Sequence, residues 1–306
     1  MMNAIMNAAG TWMWNNRTHG ELKWTTIETE HFNIHYHQNL DKIAIQGASI
    51  AEQIRPTLMK QMGLESLPTL DIIFTAEDEV LNGFAVPANY TIIWVDQNDA
   101  ALWTGDEKWL RTVLAHELQH LVYFNTVKGP WWLPEPMNSL VHGTPAWIVE
   151  GIAEYFTEEW RPFRYELSHR YHVLRNTVHK IQDPHNDGYS KSLYLADRFG
   201  DSTISKILNH RNKFKFLDFK ESFKKHTGIT LKQFNEDWRR QMNTFYFSQR
   251  SQKERLEDAG VIRKLPIKRV LSFDYFSDTS RIAMITRLSK GQYDPVSYTH
   301  LTLPTR

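Results

Sequence analysis

The chain has 306 residues, of which 41% are hydrophobic and 13% aromatic, and a net charge of +1. That is enough apolar material for one large core or two subdomains, and the even spread of Lys and Arg argues against a dedicated nucleic-acid surface. No stretch approaches the roughly eighteen apolar residues that span a bilayer, and the absence of cysteine excludes disulfides and thiolate metal ligands.

Residues 1–23 read as a tail. Met1–Trp14 lacks the basic start and continuous apolar run of a signal peptide. Phe32–His37 alternates apolar and polar residues as a half-buried strand does, which puts His35 and His37 together on a solvated face rather than in a metal site. Leu40–Met62 is an amphipathic helix closed by Gly63. Thr69–Thr75 and Tyr90–Val95 are further strands, with Asn82–Pro87 between them.

From Glu107 to Val127 no proline or glycine interrupts a helical pattern that ends at Gly129-Pro130. Leu110, Val113, Leu114, Leu118, Leu121 and Val122 form its core-facing stripe, and Asp106 and Glu107 suit the helix dipole in the first turn. Within it, His116-Glu117-Leu118-Gln119-His120 reads H-E-x-x-H. Histidines at i and i+4 stand one turn apart on one face and can chelate one zinc ion, with Glu117 beside it as general base.

A second helix is expected from Thr144-Pro145, because proline at the first helical position gives up an N–H that has no partner there anyway. It carries Trp147, Ile148, Ile152 and Tyr155 on its apolar side, and Glu150 and Glu154 one turn apart. By themselves such acids are usually solvated. After an intact H-E-x-x-H helix, Glu150 can complete a three-ligand site with one position left for water. Glu154 can then accept the remaining N–H of a ligating histidine.

H-E-L-Q-H followed thirty residues later by W-I-V-E-G-I-A-E-Y resembles the gluzincin clan of zinc metallopeptidases. The wording is similar to thermolysin-like, peptidase MA-like domains of bacterial surface and periplasmic proteins, and to the matching helix of gluzincin aminopeptidases. The resemblance covers roughly residues 24–250, with its specificity in the two helices. It implies one zinc per chain held by His116, His120 and Glu150, with Glu117 as base and Glu154 behind a ligand. It implies an edge strand for the substrate backbone at Asn82–Ala85, so Gly83, Phe84 and Ala85 are the expected substrate-binding residues, while the residues themselves fit a simple hairpin turn equally well. Tyr189, opening a helix similar to the family's tyrosine-led one, is the expected oxyanion stabiliser, with His185 and His142 in reserve. The aminopeptidases' G-x-M-E-N motif is missing, which favours an endopeptidase.

Val270–Thr286 resembles a Tol-type β-propeller repeat, and a single blade needs neighbours to bury its faces. Asp294–Arg306 resembles translated sequencing-adapter read-through and is set aside from fold reasoning, His300 included. The expected class is therefore α+β, a thermolysin-like zincin. Residues 24–128 would form an α/β subdomain ending in the zinc-binding helix, and 129–255 a mainly helical subdomain with the third ligand. Residues 256–293 would begin a truncated propeller, and 294–306 would be artefact.

The expected activity is peptide-bond hydrolysis on a peptide or protein substrate, in a periplasmic or other extracytoplasmic setting, with the cytoplasm still open. Two other classes stand beside it. One is a zinc hydrolase of a non-peptide amide, because the motif fixes chemistry and not the acyl group. The other is an envelope binding or scaffold protein with a vestigial peptidase domain.

Overall fold

The computed structural model describes residues 21–76, 83–95, 106–157, 163–180, 184–254, 258, 260, 270–276, 281–287 and 293–298. Most of the tail, Asn82 and His300 lie outside the described residues. Contacts divide the chain into two compact units between Arg250 and Ser251.

The first unit opens with β1 (Trp24–Glu28) and β2 (Phe32–His37), an antiparallel pair. β3 (Leu70–Thr75) runs parallel to β2, so the chain must cross over, and α1 (Asp41–Met62) is that crossover. β4 (Gly83–Val86) and β5 (Tyr90–Trp94) form a hairpin turned by Asn89, with φ 67°. β5 inserts parallel to β3. The sheet order β1-β2-β3-β5-β4 leaves β4 as an edge strand.

α2 (Asp106–Thr126) packs against this sheet. It buries Leu110, Leu114, Leu118, Leu121 and Val122, the stripe expected from its period, with Val113 half-buried. At the far end Asn125 donates to Leu121 O and to Asn89 Oδ1, both at 2.9 Å, tying the helix to the β4–β5 turn. The rest of the unit is helical: α3 (Glu135–Val141), α4 (Ala146–Thr157), α5 (Phe163–Leu174), a 3-10 turn at Val178–Lys180, α6 (Pro184–Phe199), α7 (Ser202–Asn209), α8 (Phe219–Thr227) and α9 (Leu231–Ser251). An α+β architecture with an N-terminal mixed sheet and a mainly helical second half was the expected one.

α4 and α6 approach unusually closely. A Cβ on Gly151 would stand 2.3 Å from the carbonyl oxygen of Gly188, and a Cβ on Gly188 would stand 2.2 Å from that of Trp147. Glycine is required at both positions because backbone fills the space a side chain would need. This crossing fixes how α6 presents its first turn to the face of α4 that carries Glu150 and Glu154.

One strand face differs from its sequence pattern. His35 is half-buried and bonds Thr26 and Asp71, but His37 is buried. Its Nε2 accepts from the Ala76 N–H at 3.0 Å, so Nδ1 carries the proton and donates to Gln38 O at 3.1 Å. The backbone leaving β3 needs an acceptor there, and the imidazole supplies it.

The second unit holds an antiparallel sheet of β6 (Val270–Phe276), β7 (Arg281–Arg287) and β8 (Tyr293–Tyr298), in that order. Asp294–Tyr298, set aside above, pairs with β7 as most of β8.

Candidate metal centre and active site

His116 and His120 project from the middle of α2, and Glu150 reaches them from α4. The two Nε2 atoms are 3.1 Å apart. Glu150 Oε2 lies 3.3 Å from Nε2 of His120 and 3.6 Å from Nε2 of His116. A tetrahedral ion with bonds of about 2.0–2.2 Å needs ligand atoms about 3.3–3.6 Å apart. The two edges to Glu150 fall in that range, and the edge between the two histidines is slightly shorter. Two imidazole lone pairs and a carboxylate converging on one point also form a donor set that suits a cation of zinc's character.

The charges support one another. Burial alone would raise the carboxyl of Glu150, but His120, His116 and His185 override it and hold it below the usual carboxylate range. Burial would likewise lower His120, yet Glu150 prevails and holds the ring above its ordinary value.

Glu117 is buried next to the triad and under the edge strand. A Cβ on Gly83 would fall 2.3 Å from its Cγ and 2.6 Å from its Oε1, so the β4 backbone lies directly on this side chain. Burial pushes the Glu117 carboxyl up and Glu150 adds to the rise, while His116, His120 and His185 oppose it.

Glu154 is 0% exposed, where a lone carboxylate would be costly. His185, in the first turn of α6, donates from Nδ1 to its Oε1 at 3.0 Å, and Nδ1 of His116 lies 3.9 Å away. The same carboxylate therefore faces a triad histidine and His185. His185 stacks on His116, with ring centroids 5.7 Å apart, and its Nδ1 is 3.5 Å from Glu150 Oε2.

The structure thus brings together His116, His120, Glu150, Glu117, Glu154 and Gly83, with Phe84 and Ala85 following along β4. Tyr189 is placed otherwise. It is 3% exposed on α6, its ring against Tyr165 at 5.5 Å, whereas His185 one turn earlier is half-exposed beside Glu150. His142 is buried, accepts the Thr144 N–H at 3.2 Å, and is pushed down to about 4 by burial and by Arg211. The sequence signal for this placement of His185 is the glycine pair, since glycine inside two helices marks a close approach.

No protein-family model matches the chain, and no curated protein matches its sequence. Among solved structures, an aminopeptidase N family protein from Idiomarina loihiensis is similar at a TM-score of 0.43 and 14% identity, over 72% of this chain and 46% of that one. The chain thus spans less than half the length of that protein.

Proposed function

We propose that this chain is a zinc-dependent metallopeptidase of gluzincin type, acting as an endopeptidase. The observation that carries the reading is the His116–His120–Glu150 triangle, with edges of 3.1–3.6 Å, placed beside a buried glutamate under strand β4. His116, His120 and Glu150 would hold the ion, which when bound supplies a Lewis acid and lowers the pKa of its water.

The chain's own residues do the rest. An extended substrate would add as a strand along β4, the last strand of the described sheet, with its backbone in register with Gly83–Ala85. That edge favours a peptide over a compact amide. Glu117 accepts a proton as water adds to the scissile carbonyl carbon. It returns that proton to the amine nitrogen as the C–N bond breaks, leaving a carboxylic acid and an amine. Glu154 orients His116 and His185 through their Nδ1 atoms. We assign the oxyanion contact to His185 in preference to the buried Tyr189, because His185 is half-exposed at the triad.

In this reading residues 24–128 and 129–255 are the two halves of the catalytic unit, β6–β8 belong to a propeller blade, and the setting is extracytoplasmic. The test is zinc content with hydrolysis of a quenched-peptide library, with and without chelator. Glu117→Gln should keep stoichiometric zinc and lose activity by at least about a hundredfold. Turnover equal to wild type in that variant would refute the reading.

A further inference from the structure

The segment joining the two ligand-bearing helices turns its apolar side chains outward. Trp131 is 97% exposed and Leu140 80%, and Trp132, Met137 and Val141 are exposed as well. On α3, Met137, Leu140 and Val141 stand at i, i+3 and i+4, so they form a single face. The opposite side of the helix is anchored. Asn138 is fully buried, and its amide donates to Val127 O at 3.1 Å. The outward face is therefore held in place by the fold. Adjacent exposed residues of this size mark an interaction surface rather than ordinary scatter.

A second projection lies alongside. The Arg211 guanidinium donates to Thr126 O at one end of the segment, and Phe219 N–H donates to His142 O at 2.9 Å at the other. Between these points Lys213-Phe214-Lys215 forms a tight turn. Asn212 Oδ1 accepts the N–H groups of Phe214 and Phe216, and Lys215 takes φ 64°. The turn leaves Phe214 and both lysines exposed, with Lys213 Nζ 5.0 Å from the Phe214 ring centroid.

Charge complementarity identifies the occupant. Thr126–His142 and Arg211–Phe219 together carry Lys128, Arg211, Lys213 and Lys215 against only Glu135 and Asp218. Both acids and Arg211 are half-buried, Asp218 caps α8 through Glu221 N–H and Arg211 is bonded to backbone carbonyls, so the exposed charges of these segments are Lys128, Lys213 and Lys215. Exposed tryptophans with aliphatic neighbours suit the headgroup–acyl boundary, and flanking lysines suit anionic headgroups. We propose that Trp131, Trp132, the outer face of α3 and the Phe214 turn form a docking surface for an anionic lipid bilayer. Among the described residues no helix is long and apolar enough to cross a membrane, so this contact lies in the interfacial plane. Because the segment links α2 to α4, it would hold the His116–His120–Glu150 site close to the membrane surface. The proposal stands whether or not that site is a peptidase.

The chain has no cysteine, so Met137→Cys gives a single attachment point for an environment-sensitive fluorophore. Labelled protein is mixed with vesicles of phosphatidylcholine alone, or of phosphatidylcholine with phosphatidylglycerol, and unlabelled protein is floated with the same vesicles. The expected result is a blue shift and co-flotation with the anionic vesicles, weakened by salt. Trp131→Ser with Trp132→Ser should lower partitioning at least about tenfold. Lys213→Glu with Lys215→Glu should remove the preference for phosphatidylglycerol. These lysines sit on an exposed turn, so that variant carries the test if the tryptophan variant misfolds. Absence of any shift with anionic vesicles, or unchanged partitioning in a folded variant, would overturn the proposal. A lipid-independent shift that grows with protein concentration would overturn it too, by showing that a second copy covers the face.

Discussion

Replacing Gly83 with alanine probes the contact on which the catalytic reading depends. The added Cβ would lie 2.3 Å from Glu117 Cγ and 2.7 Å from its Cδ. Ordinary carbon–carbon contact is about 3.5 Å, so the two groups must separate by about 1.2 Å. Glu117 is buried on a helix whose neighbouring residues fill the core, so α2 itself cannot retreat. Either the Glu117 side chain swings aside, or β4 lifts from β5 at the Gly83–Ile93 pair. Misplacing a catalytic group by about 1 Å costs on the order of a hundredfold in rate, about 2.7 kcal/mol of barrier. Gly83→Ala should therefore lose about a hundredfold in peptide hydrolysis while binding zinc as wild type does, since the clash involves Glu117 and not the three ligands. Thermal melting separates the two routes, because only strand displacement also lowers the melting temperature. Activity within about threefold of wild type at full zinc occupancy would refute the claim that the edge strand rests on the base.

Other perturbations test the supports of the site. Gly151→Ala should force α4 and α6 apart, costing about 1–3 kcal/mol or more, and scanning calorimetry should show the drop together with weakened zinc affinity. Glu154→Gln should reduce zinc affinity about 10–100-fold by competition titration, because its buried carboxylate faces His116 Nδ1 and bonds His185. Glu52 tests a remote contact. Partial burial pushes its carboxyl up, but hydrogen bonds from Thr29 and His31 prevail and hold it below its ordinary value. A lowered carboxylate stabilises the fold above its unfolded-state value and loses that contribution as pH falls through the folded one. Glu52→Gln should thus cost about 1–2 kcal/mol at pH 7 in urea unfolding, and the cost should shrink as pH falls below the ordinary carboxylate range.

The parts of the site legible in the sequence are those set by local period. His116 and His120 share a face because a helix repeats every 3.6 residues, and Glu150 and Glu154 do so for the same reason. The edge position of β4 followed from no such rule; it comes from β5 inserting between β3 and β4. The position of His185 beside Glu150 and Glu154 is not legible in the sequence, because it depends on a crossing of two helices far apart in the chain. His37 was placed with the solvated residues because alternation describes the faces of a strand but not the hydrogen-bonding needs of the backbone where its neighbour ends. Composition predicts that residues such as Trp131 and Leu140 are inside, and only the fold shows that they are not.

At Gly83 over Glu117, and at Gly151 against Gly188, missing side chains let backbone approach the site directly. A backbone contact has no rotamers, so it positions Glu117 and the α4–α6 crossing more firmly than side-chain packing would. Glycine inside a helix costs about 1 kcal/mol relative to alanine, a cost borne here at Gly151 and Gly188, which are both helical. Those two residues therefore act at the level of geometry. They close the α4–α6 crossing, and that crossing sets His185, in the first turn of α6, against Glu154 on α4.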